Sequence, residues 1–164
     1  MPLPEGFAIR PATTSDLDAL VLHCRAMFSD MGYREEFALA AMSAKFKVWL
    51  LQRMEAGEYL AWLVIGPDDT VAAGAGLWLM DWPPHVVGRG PRRGNILNVY
   101  TSEKFRRRGL ARELMLAALA WCRENDVDTI ILHASDDGRG LYQSLGFAPT
   151  NEMRLEMQKD RRVT

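Results

Sequence analysis

The sequence predicts an α+β domain of three layers, in which helices cover both faces of a central mixed, mostly antiparallel sheet. Two observations predict it. Segments with strand-like alternation and segments with helical spacing interleave irregularly, in the order β-α-α-β-β-β-α-β-α-β. Two of the strands are separated only by the turn sequence PDD, which is typical of a hairpin and argues against a doubly wound parallel sheet.

The first half of the chain predicts a strand, two helices and this hairpin. Phe7–Arg10 is a short strand, and the helix that follows begins after the N-cap candidates in TTSD and ends at Gly32. A second helix runs from about Glu35 to Glu55. The hairpin strands are 58–66 and 70–81. The apolar repeat of the second helix is Phe37, Ala41, Ala44, Val48 and Leu51.

The second half begins with a loop rich in Pro and Gly, followed by a strand at 95–102. Apolar residues recur at helical spacing from Leu110 to Trp121 and predict a helix over Arg107–Asn125. A strand at 129–135, a short helix at 135–146 and an alternating last strand at 150–157 complete the order. The 164 residues suffice for one hydrophobic core, so residues 1–164 are expected to form a single domain with a frayed tail at 159–164.

The composition is that of a soluble globular protein, with 48% hydrophobic and 25% charged residues. No run approaches the roughly 18 apolar residues of a membrane span, and the first residues lack the pattern of a signal peptide. Cys24 and Cys122 both fall in helical patterns, which favours free thiols and a cytoplasmic location. Neither lies near a histidine at metal-ligand spacing, so no metal site is expected.

Positive charge is concentrated in one segment. Arg89–Arg112 holds eight Lys/Arg and one acid, a net charge of +7, whereas the other residues together carry −8. The segment contains the sequence RRRGLA, in which Gly109 opens a predicted helix directly after a strand and a loop. A helix N-terminus offers unpaired N–H groups that attract phosphate, and glycine lets an anion approach the backbone closely. The alternative is a solvated basic surface.

The wider sequence resembles the GNAT superfamily, the N-acetyltransferases that use acetyl-CoA. RRRGLA fits the family pattern Arg/Gln-x-x-Gly-x-Gly/Ala, whose backbone holds the pyrophosphate of coenzyme A. IRPATTSDL resembles the first strand and helix start, ILNVYT the bulged strand beside the acyl group, and LYQSLGF the segment near the C-terminus. The order of elements agrees as well, so the resemblance covers nearly the whole chain.

The resemblance implies a cofactor site. Val99 and Thr101 would pair through their backbones with the pantetheine arm, and the Val99 N–H would donate to the thioester oxygen. Ser135 stands where many members have an Asn that contacts pantetheine, and Tyr142 stands at the general-acid position and beside the cofactor. The pyrophosphate loop itself is implied to comprise Arg106, Arg107, Arg108, Gly109, Leu110 and Ala111.

Two departures concern the cofactor site. Glu103 replaces a proline that many members have three residues before the motif's first Arg, and Ser135 is shorter than Asn. Neither change removes a backbone donor. The acceptor side departs further, because the Glu that many relatives carry on the bulged strand is missing. The remaining candidates for the general base are Asp30, Asp81 and His133, and histidine is the residue type whose usual pKa best suits a base at neutral pH.

The implied acceptor channel lies between MFSDMGYREE and MDWPPHVVGRGPRRG, the regions that flank it in the family. A small-molecule primary amine is favoured over a protein amine, with a homodimer suggested by analogy to relatives. The alternatives are an acyl-CoA-binding sensor or catalytically weak relative, and a nucleic-acid binder, which the net charge of −8 elsewhere disfavours; neither nucleic acid nor membrane is an expected partner. Candidate acceptor-binding residues are Phe28, Asp30, Met31, Tyr33, Trp82 and His85.

Overall fold

A computed structural model describes residues 2–88 and 90–157. The chain forms two compact units, Met1–His133 and Ala134–Thr164. Arg89 and the tail that was expected to fray, 159–164, lie outside the described residues. The single domain expected from the chain length stays a prediction.

The first unit contains a sheet of five strands in the order β1-β2-β3-β4-β5. Neighbouring strands are antiparallel except β4 and β5, which are parallel, so the sheet is mixed and mostly antiparallel as predicted. The elements of this unit are β1 (Ala8–Pro11), α1 (Leu17–Asp30), α2 (Glu36–Glu55), β2 (Tyr59–Ile65), β3 (Val71–Asp81), β4 (Arg92–Thr101), α3 (Leu110–Glu124) and β5 (Ile130–Leu132).

The helices of this unit lie on both faces of the sheet. Successive side chains of a strand point to opposite faces, so the odd and even residues of β2 report the two sides. Tyr59 and Leu63 belong to a buried cluster with residues of α1 and α2, including Leu50. Trp62, on the other face, lies 6.5 Å from the ring of Trp121 in α3. This arrangement confirms the predicted three-layer fold.

The buried face of α2 differs from the predicted one. The predicted repeat began at Phe37 and included Val48, but these side chains are 81% and 60% exposed. Leu39 and Leu50 are buried instead. Apolar residues surround this helix on every side, so their spacing alone did not identify the face that packs on the sheet.

A capping box begins the 3-10 turn Thr14–Asp16 that leads into α1. Thr13 accepts from the N–H of Ser15, and the Thr13 N–H donates to Asp16 Oδ2 over 2.8 Å. Arg10 donates to both oxygens of Asp16, over 2.8 and 2.7 Å. These bonds, the Arg10 bond above all, lower the pKa of Asp16 from 3.8 to about 2. The carboxylate therefore joins β1 to the first turn of the helical segment.

The lowered pKa of Asp16 predicts a loss of stability in acid. The carboxylate stabilises the fold above the unfolded pKa near 3.8, and this contribution disappears as the pH falls toward about 2. We expect about 1 to 2 kcal/mol at neutral pH, because water around the half-exposed Arg10 weakens the pair. Urea unfolding of Asp16→Asn should show this loss at pH 7 and a flatter pH dependence below pH 4. Asp18→Asn, at an 86% exposed side chain, is the control and should change little; equal losses would contradict the assignment.

The second unit contains α4 (Asp136–Ser144). Residues 150–157, predicted as a last strand, form neither strand nor helix in the part of the chain that is described. The alternating side chains that motivated the prediction, Met153, Leu155 and Met157, are 94%, 82% and 84% exposed. Alternation indicates how a strand would bury one face, but it does not supply a partner strand.

Across the described ranges, no helix combines the length and apolarity required to cross a bilayer.

Candidate functional site

The basic loop connects the end of β4 to the start of α3. After a short 3-10 turn at Glu103–Phe105, Arg107 adopts a left-handed conformation with φ 60° and Gly109 another with φ 78°. Left-handed residues next to a helix start turn successive N–H groups toward one side, which forms an anion-binding concavity. A Cβ built on Gly109 meets no atom within 4 Å. The loop therefore presents its backbone to open space, as an anion site requires.

Arg106 is held by the protein itself. Its Nη2 forms an ion pair with Asp30 at the end of α1, and its Nε donates to the Thr101 carbonyl over 3.0 Å. Asp30 is 76 residues away in sequence, and Thr101 ends β4, so the guanidinium connects α1, β4 and the loop. Asp30, a candidate general base and candidate acceptor-binding residue, forms an ion pair with Arg106 instead. The Arg106 side chain consequently braces the loop, and its charge is balanced before any anion arrives.

Two other cations of the loop lie near an aromatic ring. Lys104 Nζ is 4.7 Å and the Arg108 guanidinium 5.9 Å from the ring centre of Phe105. Phe105 packs edge-on against Phe7, with 5.6 Å between the ring centres. These contacts leave both positive charges near the exposed loop while the ring is anchored next to β1.

A β-bulge lies in β4, in the segment ILNVYT. Gly74 of β3 pairs with Tyr100, whereas Gly76 pairs with Leu97, so two residues of β4 oppose one of β3. The two residues are Asn98 and Val99, and Asn98 has φ 53°. Beyond the bulge β4 also loses its other neighbour, because β5 pairs only with Gly94–Ile96 in the described chain. Among the described strands, none pairs with Leu97–Thr101 on that side of β4.

Tyr59, which was not among the predicted site residues, supports this bulge from the face of the sheet that α1 and α2 cover. Its hydroxyl accepts from Asn98 Nδ2 over 3.3 Å. A Cβ built on Gly76 would lie only 1.8 Å from that hydroxyl, so the side chain reaches Asn98 through the space that glycine leaves. Burial raises the pKa of Tyr59 well above its ordinary value, which keeps the phenol protonated. Glycines inside a strand, as in the sequence GAG, are the signal for such a close approach.

A cavity of about 740 Å³ lies between α1, α2 and the sheet. It meets the bulge through Leu97 and Asn98. Of the six predicted acceptor-binding residues, Phe28 lines this cavity and the other five do not. Helix α2 contributes most of the wall. The lining residues are Cys24, Phe28, Ala38, Ala41, Met42, Lys45, Phe46, Trp49, Trp78, Leu97 and Asn98.

The other predicted acceptor residues have their own local contacts. Met31 and Tyr33 are exposed, and the Tyr33 ring lies edge-on to Phe28 at 5.6 Å. The guanidinium of Arg93 lies 3.8 Å from the ring centre of Trp82. His85 Nδ1 accepts from the N–H of Val87 over 3.2 Å.

The candidate bases lie at different distances from the bulge. In the register of β3 and β4, Asp81 lies opposite Arg92 at the end of β3. It is five residues beyond Gly76, which corresponds to about 16 Å along the strand. A group at the bulge is out of its direct reach. His133 is exposed and directly follows β5. Within the described residues, no group of three or more His, Cys, Asp or Glu side chains is arranged to hold a metal.

In the second unit, Ser135 caps α4, and its Oγ accepts from the N–H of Gly138 over 3.2 Å. This leaves the hydroxyl hydrogen as the group that it can donate. Tyr142 packs edge-on against Phe147 with 6.1 Å between ring centres. Burial raises the pKa of Tyr142, so its phenol carries a proton at neutral pH.

Comparison with protein families adds the deciding observation. The family model described as the acetyltransferase (GNAT) family matches residues 25–147, which include the bulge, the basic loop and the described cavity-lining residues other than Cys24. The chain belongs to the GNAT family. This acetyltransferase therefore uses acetyl-CoA as its cosubstrate and transfers an acetyl group from it.

Solved structures agree with this membership. The GNAT chain is 37% identical to a GCN5-related N-acetyltransferase from Ralstonia eutropha JMP134, with a TM-score of 0.85 over 93% of this chain and 99% of that one. A predicted acetyltransferase from Clostridium acetobutylicum, crystallised with acetyl-CoA, is 24% identical with a TM-score of 0.83 over 93% and 96%. At that identity the likeness concerns the fold. No curated protein matches the chain.

The fold likeness extends to a more distant enzyme. Glucosamine-6-phosphate N-acetyltransferase from Arabidopsis thaliana is 15% identical, with a TM-score of 0.62 over 96% of the GNAT chain and 99% of its own.

Proposed function

We propose that the protein transfers the acetyl group of acetyl-CoA to a primary amine of a small-molecule acceptor, by direct attack of the amine on the thioester. The observation that carries this proposal is that the cavity meets the bulge of β4 at Leu97 and Asn98. Its volume of about 740 Å³ lies in the range of small-molecule sites. An amine held there would be next to the strand edge at which the resemblance places the thioester.

The residues of the loop fit the pyrophosphate of coenzyme A. Gly109 leaves open space in front of the backbone, and the first N–H groups of α3 have no partner within the helix. We assign the pyrophosphate to the N–H groups of 107–110, with Arg107 and Arg108 adding charge. Arg106 acts differently from the motif expectation, because it braces the loop through Asp30.

Acetyl-CoA supplies the acetyl group as a thioester. We propose that the backbone of Thr101 and Val99 pairs with the pantetheine arm, and that the Val99 N–H donates to the thioester oxygen as negative charge develops there. A fixed backbone donor of this kind needs no reorganisation. Tyr142 is the proposed donor of a proton to the departing thiolate. Since a thiol of pKa about 8.5 leaves readily, this proton matters less than the removal of the amine's proton.

Removal of that proton is the demanding step. An amine with a pKa of about 10.4 requires roughly 4.6 kcal/mol to become neutral at pH 7. Among the described residues that line the cavity, none is a carboxylate or a histidine. Asp30 is bound to Arg106, and Asp81 is distant from the bulge. We therefore propose that the apolar cavity favours the neutral amine and that solvent takes the proton.

A pH profile tests this proposal. With saturating acetyl-CoA, kcat/KM for a small amine such as benzylamine is expected to rise about tenfold per pH unit from pH 6 to pH 8, because only the neutral fraction reacts. Release of free thiol, followed colorimetrically, is the measurement, and omission of the amine is its control. A plateau reached near pH 7 would instead indicate that a side chain takes the proton, for which His133 is the candidate.

A panel of acceptors separates the classes of function. Lysine-containing peptides should react more slowly than small amines if the acceptor is a small molecule.

An acyl-CoA-binding sensor is the second candidate, and the lack of an acid or histidine among the described lining residues favours it. Binding of acetyl-CoA without thiol release in the presence of any amine would support the sensor and contradict the proposed transfer.

A further inference from the structure

The cavity has an aromatic wall. Trp49 of α2 lies 5.3 Å from the ring of Trp78 and 5.9 Å from that of Tyr59, edge-on in both cases. Phe46 stacks beside Trp49, with 6.1 Å between centres and 22° between planes. Phe28 lines the cavity from α1. Rings fixed by one another in this way favour a ligand with a flat apolar body, because such a body can lie against them.

Lys45 is the one charged side chain among the described lining residues. It precedes Trp49 by four residues, so the two side chains lie on the same face of α2, one turn apart. The other cations of this helix that lie nearby have carboxylate partners: Lys47 is 2.6 Å from Asp18, and Arg53 is 2.9 Å from Glu58. Lys45 is exposed, and the described residues place no carboxylate within ion-pair distance of it.

The two polar features of the cavity stand at different places. Asn98 belongs to the sheet and is held by Tyr59, while Lys45 belongs to the helix and is exposed. Both residues line the same cavity from opposite elements. A ligand that reaches both would carry its amine near the bulge and a negative charge toward the α2 wall.

We propose that the acceptor is an amine with an aromatic or similarly flat apolar body and an anionic group at the opposite end, which pairs with Lys45. This inference rests on the proposed function, since it assigns the acceptor class of the same cavity. The charge of Lys45 then selects among apolar amines that would otherwise fill the cavity equally well.

Two amines that differ only in the anionic group provide the test. Para-(aminomethyl)benzoate carries a carboxylate opposite its amine, and benzylamine lacks it. We expect kcat/KM for thiol release to be at least tenfold higher with para-(aminomethyl)benzoate. In Lys45→Gln the two amines should become equal within about threefold, because an uncharged side chain of similar length no longer selects the anion.

Lys47→Gln is the matched control. It removes the same charge from the same helix, but Lys47 does not line the cavity, and its pair with Asp18 lies at the surface. The preference for para-(aminomethyl)benzoate should persist in this variant. Equal rates with both amines in the unaltered protein, or an undiminished preference in Lys45→Gln, would overturn the inference.

Binding without turnover separates this inference from the proposed function. Trp49 and Trp78 line the cavity, so para-(aminomethyl)benzoate should quench tryptophan fluorescence, and Lys45→Gln should weaken its binding at least tenfold. Lys45-dependent quenching with no thiol release would uphold the anion site while contradicting acetyl transfer. Thiol release without any dependence on Lys45 would uphold transfer and overturn the anion site.

Discussion

Gly109→Glu is expected to weaken acetyl-CoA binding by at least a hundredfold. The left-handed conformation of Gly109, φ 78°, costs a residue with a Cβ about 1 to 2 kcal/mol. The carboxylate would also stand in the open space in front of Gly109, where we propose that the pyrophosphate binds. Two like charges about 5 Å apart repel by roughly 3 kcal/mol at an effective dielectric constant of 20. Calorimetric titration with acetyl-CoA measures the loss.

Gly57→Glu is the control for this experiment. Gly57 has φ 69°, and a Cβ built on it also meets no atom within 4 Å. It lies two residues before β2, at the end of the sheet where Tyr59 pairs with Trp78, whereas the loop follows the opposite end of β4. Its substitution therefore imposes the same strain and the same charge without touching the loop. Equal affinities of folded Gly109→Glu and Gly57→Glu would place the pyrophosphate elsewhere.

Gly76→Ala is expected to lower the free energy of unfolding by about 3 kcal/mol. Its Cβ would lie 1.8 Å from the hydroxyl oxygen and 2.4 Å from Cζ of Tyr59, which is 3% exposed and has little space to move. Displacement of the ring would also break the bond to Asn98 and loosen the bulge. We therefore expect kcat of the remaining folded enzyme to fall along with its stability. Urea unfolding and thiol-release assays measure the two effects.

Two further variants test whether this loss comes from the clash with Tyr59. Gly66→Ala is the buried control, because its Cβ would meet neighbours no closer than 3.5 Å, and it should cost far less. In a Tyr59→Leu background the ring is gone, so adding Gly76→Ala should cost at least 1 kcal/mol less than it does alone. Additive losses would show that Tyr59 does not fill the space above Gly76.

The sequence was informative where the signal is local. The basic loop could be found because a strand, a run of arginines, a glycine and a helix follow one another within residues 98–115. The contacts that shape the site are not local: 76 residues separate Asp30 from Arg106, and 39 separate Tyr59 from Asn98. Neither pair leaves a trace in the spacing of residues. The glycines of β3 were visible, but the side chain that needs their space was not.

Helix α2 shows a second limit. A helix that is apolar all round gives no single face, so the predicted repeat at Phe37 and Val48 proved exposed. The cavity wall that α2 provides was missed for the same reason, and the acceptor prediction was placed on the end of the first helix and on loops instead. Only Phe28 is common to the predicted set and the cavity lining.

Near its end, helix α1 carries two residues that contact different parts of the candidate site. Phe28 lines the cavity, and Asp30, two positions later, holds Arg106 of the loop. A ligand that restricts the motion of either the cavity or the loop therefore also restricts the helix end that contacts the other. Linkage is reciprocal, so acetyl-CoA and the acceptor would each raise or lower the affinity for the other by one common factor. The size of that common factor then depends on how this helix end connects the cavity to the loop.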